Sequence, residues 1–583
     1  MHNTSSALYL GPSPSDAIKT QMAPSLFHLD VREVARAVAM SLPDLQSLAL
    51  ILVFLITVFW LRFRHKHRTF LAHSKRDGIK IIPPTFPYAF PLLGSLPVAY
   101  LWKPKAVVLD EVHFFQSAHP ARVKTLMGEF YVIKGPEHVK SLFKNSVLCT
   151  SIPFVKFALG YAFGLPKNAS DLYDKDSSGT SHVPISSNSV EPRNRVDYLT
   201  HRAISQFLEG KGLSPLYKRY IKYATNQLYD LYNRLGTNWT SYDDLMENVG
   251  AEVTVATFNA FCGPHLLRLN PIFPRDFWNF DRNLQTYLQG IPQIFAPRAY
   301  AARKRVIEAI RTWQQHAREN FDPSAMDENG DDPFWGSSFF RKSHDMFLAM
   351  DGFDHTAVAS THLGAIWASR NSVATTSWCV FNVFRDPDLL NRVRAELDPC
   401  AIEGQDGRVH FDIDKLLHLP VLQAVYAETL RLIMHFYIIR TSDRSDMDID
   451  DWIIPKHKVA VTPTTVAHMN AKAWNAGVKN EHPVEKFWIG RFLEYPEEES
   501  SPKFSTANLE GSWIPYGGGP RICPGRNFAK RHILLKVALM VTLFDCEISP
   551  EGIDLQEDSS LMGFGGGVSN PSGKAPMKLR RRV

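Results

Sequence analysis

The segment from Trp513 to Arg526 is the part of the sequence that most constrains the fold and chemistry of this chain. Its sequence is WIPYGGGPRICPGR. Consecutive glycines permit unusual backbone conformations and let a flat group approach the main chain, and Pro524 suits the first turn of a helix. A thiol at a helix N-terminus meets free N–H donors, which lower its pKa and favour the thiolate. We therefore predict that Cys523 is an exposed, electron-rich sulfur of the kind that binds haem iron.

Other interpretations of Cys523 stay open at this point. A lone cysteine is usually a small buried hydrophobe, and the glycine-rich loop lacks the Gly-Lys-Ser/Thr ending of a phosphate-binding loop. A nucleophilic cysteine would need a histidine base, and His532 lies two helical turns further on. The six cysteines are too few and too scattered for a disulfide framework, and no C-x-x-C pair indicates structural zinc.

The run from Leu45 to Leu61 contains no charged residue and has the shortest length that spans a bilayer. A basic segment, residues 62–68, follows it directly, which favours a transmembrane helix with its basic end in the cytoplasm. Residues 1–44 would then be lumenal, and Asn3 begins a glycosylation sequon there. A buried core helix and a cleaved signal peptide are the alternatives.

The rest of the chain indicates a basic and proline-rich linker over residues 62–105 and one large helical domain over residues 106–583. The net charge of +6 is too mild to suggest nucleic-acid binding. Loops are expected at residues 168–194 and 322–333. The periodicity predicts four helices and two strands: Phe347–Phe384, Pro387–Leu397, Ile413–Leu432 and Cys523–Phe544, with strands at Asp451–Ile454 and Lys458–Pro463.

Three motifs in order carry a resemblance to a known family. The cysteine segment resembles the haem-binding signature of the cytochromes P450, which begins with Phe where this chain has Tyr516. The Glu-x-x-Arg pattern at Glu428 and Arg431, and the segment ending in Arg491-Phe492, resemble two further family motifs. The resemblance implies a mainly α fold with small β-sheets. It also implies a haem b cofactor with Cys523 as iron ligand.

The resemblance also implies roles for residues around the cofactor. Glu428, Arg431 and Arg491 would form a buried charge network, although by spacing alone the first two would be a solvated pair. Contacts to the haem would come from Tyr516, Gly519 and Gly525 of the signature. The propionates would be neutralised by Arg521 and by Arg440, each of which could instead be an ordinary surface arginine.

The distal helix departs from the family pattern. The family usually has an acid and a threonine that help to deliver protons to bound oxygen, but here Arg370 stands in the acid position and Asn371 in the threonine position. An amide can form hydrogen bonds but is a poor proton source. If the alignment is shifted by one turn, Thr375 and Thr376 are the relevant pair. We take Asn371 and Thr375 as the candidate catalytic residues.

The residues Ile366–Asn371 and the tail Met562–Gly565 resemble the branch that contains cholesterol 7α-hydroxylase and prostacyclin synthase. That branch implies either a monooxygenase or a haem-thiolate isomerase or dehydratase that needs no reductase. A monooxygenase would receive electrons from NADPH–cytochrome P450 reductase at the endoplasmic reticulum membrane. It would oxidise a lipophilic terpenoid, steroid or polyketide in fungal specialised metabolism. The predicted pocket comprises Leu363, Ile366, Trp367, Met434–Ile439 and Gly563–Gly567.

A third hypothesis comes from another class of protein. A non-catalytic membrane protein could use Cys523 structurally, and it would bind no haem.

Overall fold

The computed structural model describes residues 45–72, 80–88, 95, 98–110, 119–125, 128–146, 149–181, 183–185, 190–497 and 501–582. The chain divides into two compact units, Met1–Arg64 and His65–Val583. The predicted lumenal segment, residues 1–44 with Asn3, lies outside the described residues.

The helix Leu45–Leu71 contains the predicted membrane anchor. Its portion Ser47–Phe70 has a mean hydropathy of 2.0 and is long and apolar enough to cross a membrane. The prediction that a linker begins at residue 62 is wrong, because the basic residues that follow the apolar run continue the helix. Lys and Arg are good helix formers, so a basic flank need not end a helix.

The described part of the proline-rich passage also differs from a free connector. Ile81 forms a parallel bridge with Trp452, and Thr85 forms one with Arg122. Phe86 is buried, with only 3% of its surface exposed. These contacts attach residues 80–88 to the larger unit, so the passage is part of the folded body there.

The larger unit is mainly helical, as predicted. Its helices and the anchor helix are α1 (Leu45–Leu71), α2 (Pro104–Leu109), α3 (Pro136–Lys144), α4 (Ile152–Tyr161), α5 (Lys167–Lys175), α6 (Val196–Leu208), α7 (Leu213–Arg234), α8 (Leu245–Cys262), α9 (His265–Leu269), α10 (Phe273–Arg282), α11 (Leu284–Leu288), α12 (Pro297–Asn320), α13 (Ser338–Leu348), α14 (His355–Trp367), α15 (Arg370–Phe384), α16 (Pro387–Leu397), α17 (Ile413–Leu416), α18 (Pro420–Ile433), α19 (Thr464–His468) and α20 (Arg526–Leu543). Short 3-10 turns include Val98–Leu101, Ile489–Phe492 and Gly519–Arg521.

The strands form small sheets. They are β1 (Ala121–Thr125), β2 (Gly128–Val132), β3 (Thr240–Tyr242), β4 (Ala401–Glu403), β5 (Val409–Phe411), β6 (Met434–Thr441), β7 (Met447–Ile449), β8 (Trp452–Ile454), β9 (Val459–Pro463), β10 (Leu493–Glu494), β11 (Lys503–Phe504), β12 (Phe544–Ile548), β13 (Gly566–Val568) and β14 (Met577–Arg581). The five-stranded sheet has the order β1-β2-β9-β6-β13, and a three-stranded sheet has the order β12-β14-β3. Strand β6 pairs antiparallel with both β9 and β13. Several of its residues form part of the candidate site described below.

The predicted helix Phe347–Phe384 is three separate pieces, so that prediction is wrong in its extent. Helix α13 ends at Leu348, and Gly352 follows with a φ of 80°. Asp354 then caps α14 by accepting a hydrogen bond from the Ala357 N–H. A second interruption at residues 368–369 separates α14 from α15. The hydroxyl of Ser369 donates to the Ile366 carbonyl at 2.7 Å there, which competes with the helical pattern.

Two predicted loops are partly folded. Residues 167–175 form α5, which buries Ala169, Leu172 and Tyr173. In the acidic stretch after residue 321, Asp331 and Asp332 are buried, and the exposed connector is correspondingly shorter than predicted. The predicted helix from Ile413 is divided as well, because Pro420 begins α18 at a first-turn position.

The core of the larger unit surrounds α15. Helices α8, α18 and α20 pack against it, and fourteen of the fifteen residues of α15 are buried. Helix α15 is therefore enclosed on nearly every side and occupies the centre of the domain. The candidate site lies where the N-terminal turn of α15 approaches the start of α20.

Candidate active site

A cavity of about 500 Å³ lies between the start of α15, strand β6 and the cysteine segment. Its lining is largely apolar and aromatic and includes Phe154, Phe207 and Phe436. Cys523, Asn371 and Thr375 also line it. The volume is within the usual range for cofactor and ligand sites, about 300–1,000 Å³. A second concavity, beside Lys156 and Tyr161, is a shallow surface depression without any of these groups.

Only some of the predicted pocket residues line this cavity. Trp367, Met434 and residues 436–439 line the cavity. The prediction is wrong for Leu363 and Ile366, which are fully buried in the core and do not line the cavity. It is also wrong for Gly563–Gly567, which do not line it either.

The glycines before Cys523 are required by close contacts. Gly517 and Gly519 have φ values of 71° and 68°, which favour glycine. A Cβ on Gly518 would lie 2.2 Å from the Phe143 ring. A Cβ on Gly519 would lie 2.6 Å from the Phe143 carbonyl oxygen. The segment can therefore follow this path only with small residues.

Cys523 is the exposed cysteine of the six, and its side chain faces the cavity. Helix α20 begins at Arg526, and Gly525 is its N-cap. The N–H groups of Gly525 and Arg526 are directed at the sulfur. Burial of the thiol on its protein side nevertheless raises the pKa of Cys523 more than those N–H groups and the Arg526 charge lower it. The predicted lowering of this pKa is therefore wrong for the protein alone, since desolvation outweighs the helix N-terminus.

Tyr516 lines the cavity and forms a hydroxyl pair with a tyrosine of α18. Its hydroxyl lies 2.5 Å from that of Tyr426 on α18, and its carbonyl accepts a hydrogen bond from the Cys523 N–H at 3.0 Å. Burial raises the pKa of both phenols. The pair fixes the start of the cysteine segment to α18 through neutral groups.

Glu428, Arg431 and Arg491 lie together in the core, with side chains that have no exposed surface. The guanidinium of Arg431 donates to both carboxylate oxygens of Glu428, at 2.6 and 2.9 Å. Arg491 Nε donates to Glu428 at 3.3 Å, and the Trp488 N–H donates at 2.9 Å. The remaining N–H groups of the two arginines bind backbone carbonyls, including those of His468 and Val484. These ions are thus paired and hydrogen-bonded, as buried charges must be.

Arg521 and Arg440 both line the cavity but differ in their partners. The guanidinium of Arg521 forms two hydrogen bonds with the Asp197 carboxylate of α6, at 2.6 and 3.3 Å. Arg440 donates to the carbonyls of Gly518 and Ile439, both at 2.9 Å. Its Nε is buried and has no hydrogen-bond partner among the described residues. Burial lowers the pKa of Arg440 to about 10, which leaves it a cation that favours an anionic partner.

Asn371 and Thr375 lie one turn apart on α15 and both face the cavity. The Thr375 hydroxyl donates to the Asn371 carbonyl at 2.8 Å, and the Asn371 side-chain oxygen accepts from the Val568 N–H at 2.9 Å. Thr376 is fully buried and donates to the Ser372 carbonyl, away from the cavity. The cavity therefore meets Asn371 and Thr375, and not Thr376.

The sequence motifs did not indicate two carboxylates that lie near the site. Asp197 pairs with Arg521, and Asp281 pairs with Arg370 at 3.0 Å. Both are separated from their partners by many residues in the chain and belong to unremarkable helical patterns. The signal that could have found Asp281 is its place among apolar residues in Phe273–Arg282, where it is buried.

The residues of the cavity fit a flat, anionic, iron-bearing group. A thiol with two N–H donors beside it is a suitable soft ligand. The glycines add no side chains of their own to the loop, and the unpaired Arg440 Nε is a donor that a carboxylate would satisfy. This donor set agrees with haem.

Comparison with known proteins supports the same conclusion. The family model for "Cytochrome P450" matches residues 268–575. The chain is 32% identical to cytochrome P450 monooxygenase efuG of Hormonema carpetanum, over 92% of this chain and 95% of that protein. The chain belongs to the cytochrome P450 family. It is thereby a haem-dependent monooxygenase, which sets aside the hypothesis of a protein without haem.

Two further comparisons refine this membership. The chain is 25% identical to the cholesterol 7-alpha-monooxygenase of Cricetulus griseus, over 50% of this chain and 55% of that protein, which confirms the predicted branch. The crystal structure of the cytochrome P450DA haem domain superposes with a TM-score of 0.60 at 15% identity, covering 87% of this chain and 99% of that one. The predicted P450 fold is thus confirmed.

Proposed function

We propose that this P450 oxidises a lipophilic small molecule of terpenoid, steroid or polyketide type, with electrons that NADPH supplies through cytochrome P450 reductase. The observation that carries the proposal is the apolar cavity that both Cys523 and the N-terminal turn of α15 line. An apolar wall with few polar groups binds substrates mainly by burial of their hydrocarbon surface. The relatives named as fungal P450 monooxygenases agree with a role in specialised metabolism.

Cys523 is the residue that would hold the haem iron. A thiolate ligand donates electron density to the haem, and the haem supplies the oxygen chemistry. The N–H groups of Gly525 and Arg526 stabilise negative charge on the sulfur. Coordination to a cation deprotonates a thiol whose pKa is raised in the free protein.

Arg440 and Arg521 are the proposed partners of the haem propionates. Arg440 has an unsatisfied Nε for this purpose. Arg521 is held by Asp197, so it would contact a propionate while it keeps a carboxylate partner on its other side. Tyr516, Gly519 and Gly525 would support the haem through the shape of the loop.

Asn371 and Thr375 are the proposed polar groups of the cavity that would lie on the oxygen side of the haem. Thr375 carries a hydroxyl and Asn371 carries an amide, so both can orient a water, but neither is an acid. Protons would then reach the site through ordered water rather than through a carboxylate at position 370.

The anchor helix would hold the enzyme at the endoplasmic reticulum membrane with residues 65–583 in the cytosol. The basic end of the helix favours this direction. The sequon at Asn3 would then be lumenal and available for glycosylation.

The ferrous carbon-monoxide spectrum tests the ligand. The parent should show the red-shifted Soret band of thiolate ligation, and Cys523→Ser should lose it. Cys400→Ser is the matched control, because Cys400 is half-buried elsewhere in the domain, and it should keep the band. A band that persists in Cys523→Ser would contradict the proposal.

Turnover assays with and without NADPH and the reductase test the electron supply. Panels of terpenoids, steroids and polyketides serve as substrates. Product should form only when both NADPH and the reductase are present. Equal product without them would instead indicate a haem isomerase or dehydratase.

A further inference from the structure

Arg370 stands where the family usually has an acid, yet its side chain does not enter the cavity. Its neighbours Ser369 and Asn371 line the cavity, whereas Arg370 is not among the described residues that do so. Only 6% of Arg370 is exposed. A buried arginine at the first residue of α15 needs partners of its own, and those partners show what it does.

One edge of the guanidinium is held by Asp281 of α10. Arg370 Nε donates to the two carboxylate oxygens at 3.0 and 3.2 Å. The same carboxylate accepts a hydrogen bond from Trp367 Nε1 at 2.8 Å. Asp281 is itself only 6% exposed. Its carboxylate therefore binds the residues on both sides of the interruption between α14 and α15.

The other edge of the guanidinium reaches the C-terminal segment and Asn371. Arg370 Nη1 donates to the Val568 carbonyl at 2.6 Å and to Asn371 Oδ1 at 3.1 Å. Its Nη2 donates to Asn570 Oδ1 at 3.1 Å. The planar fork of an arginine can contact all these groups at once, which the single point charge of a lysine cannot do.

The amide of Asn371 is oriented by two donors. Its Oδ1 accepts from Arg370 Nη1 and also from the Val568 N–H, at 2.9 Å. Neither donor can accept a hydrogen bond, so the amide oxygen and nitrogen cannot be exchanged without two lost bonds. The Nδ2 has no acceptor among the described residues. Since Asn371 lines the cavity, its N–H₂ group is the part of the amide that stays available to a ligand there.

The close approach of Gly567 supports the same orientation independently. Its φ is 122°, and a Cβ there would lie 2.3 Å from Asn371 Oδ1. Only glycine allows the backbone to come close enough for the Val568 N–H to reach the amide oxygen. The chain thus holds Asn371 from two sides, by a charge and by a backbone contact.

We propose that Arg370, fixed by Asp281, is a positioning residue that makes Asn371 present its N–H₂ group, and not its carbonyl oxygen, to a ligand in the cavity. The inference extends the proposed function, since it assumes that Cys523 holds the haem and that Asn371 faces bound oxygen. Asn371 would then be a hydrogen-bond donor in place of the acid and alcohol of the family. Arg370 sets its direction without contact with the substrate.

The C–O stretching frequency of the ferrous carbon-monoxide complex tests this proposal. A hydrogen bond donated to the bound carbon monoxide lowers that frequency, and infrared spectroscopy measures it without turnover. Asn371→Leu removes the donor and should raise the frequency. The same change is expected in three further variants, because each releases or displaces the Asn371 amide. In Arg370→Gln, Asp281→Asn and Gly567→Ala, the C–O band should move to higher frequency or become broader.

Arg370→Lys separates positioning from charge. Lysine keeps the charge but not the fork, so positioning predicts the same shift as in Arg370→Gln, whereas a purely electrostatic effect predicts the parent frequency. Glu252→Gln is the matched control. It breaks the ion pair between the half-buried Glu252 carboxylate and the buried Lys536, whose nitrogen lies 2.7 Å away, and neither residue lines the cavity. This variant should keep the parent frequency.

Three outcomes would overturn the proposal. The first is an unchanged C–O frequency in Asn371→Leu. The second is the parent frequency in all three of Arg370→Gln, Asp281→Asn and Gly567→Ala. The third is the parent frequency in Arg370→Lys. Gly567→Ala leaves every charge in place and so provides the result if a charge variant fails to fold. If Cys523 is not the iron ligand, this is seen in a separate measurement, because the parent protein then lacks the thiolate Soret band.

Discussion

His435 Nε2 lies 2.7 Å from Glu557 Oε2, and this pair joins strand β6 to the segment before β13. Lys105 binds the other oxygen of the same carboxylate. Only 13% of the Glu557 side chain is exposed. Burial raises the pKa of Glu557, but His435 and Lys105 together lower it by more than burial raises it. The pKa therefore lies at about 2. Because Met434 and Phe436 flank His435 in the cavity wall, the pair supports the wall from behind.

Glu557→Gln should lower the free energy of unfolding at pH 7. A carboxyl whose pKa is depressed from 4.5 to about 2 contributes stability above pH 4.5, and this contribution is lost as the pH falls toward 2. The shift corresponds to about 3 kcal/mol at neutral pH. Urea unfolding at several pH values measures the effect. The difference between variant and parent should shrink below pH 4.5, and a constant difference would contradict the assignment.

His532→Phe should make the protein more stable and less sensitive to acid. His532 is fully buried between Tyr220 and Phe528, and neither ring nitrogen has a hydrogen-bond partner in the described part of the chain. Burial lowers its pKa to about 3. The unfolded state therefore binds a proton that the folded state does not, so stability falls between pH 6.5 and pH 3. The variant should gain about 1 kcal/mol at pH 7.

His362→Phe is the matched comparison. His362 is equally buried, and its pKa is also lowered to about 3 by burial, but Gln314 and Ser343 bind its two nitrogens at 2.8 and 2.9 Å. Its replacement leaves the Gln314 amide nitrogen unpaired and removes one of the partners of Ser343, which keeps its bond to the Phe339 carbonyl. The midpoint of urea unfolding at pH 7 should therefore fall. Equal effects of the two substitutions would contradict the interpretation.

Glu428→Gln should strongly destabilise the haem-side core. The substitution leaves Arg431 and Arg491 without their carboxylate, and loss of one partner from a buried ion pair costs about 3–5 kcal/mol. We expect loss of bound haem and a lower unfolding midpoint, measured by the Soret absorbance during urea titration. Glu308→Gln, which removes an exposed pair with Arg311, is the control and should match the parent.

Removal of residues 1–64 should release the enzyme from membranes and leave it folded. The larger unit begins at His65, and Phe70 packs in it with ring centroids 5.1 Å from Phe86 and 4.6 Å from His119. Fractionation of cell extracts and the carbon-monoxide spectrum measure the two results. A shorter chain that starts at Ala72 loses Phe70 and should be less stable. Recovery of the full chain in the soluble fraction would contradict the anchor.

Parts of the fold could be predicted because their signals are local. Helix Pro387–Leu397 has the predicted bounds, since Asp386 caps it and Pro387 begins its first turn. Strands β8 and β9 lie within one residue of their predicted ranges. The cysteine segment was readable for the same reason, because its glycines and Cys523 are adjacent in the chain.

The remainder depends on contacts between distant residues. The interruption at residues 368–369 contains neither Gly nor Pro, and the pairing of Arg370 with Asp281 holds it in place. The pKa of Cys523 was predicted in the wrong direction, because burial by residues from several elements outweighs the local helix start. Asp197 was missed because its contact with Arg521 joins segments that only the tertiary fold brings together.

The contact between Tyr516 and Tyr426 has a consequence for the descent of this enzyme. A single Phe-to-Tyr change at either position would bury a hydroxyl without a partner, at a cost of about 1–3 kcal/mol. When both changes are present, each phenol satisfies the other at 2.5 Å. Relatives with Phe at the position of Tyr516 are therefore expected to lack the hydroxyl at the position of Tyr426.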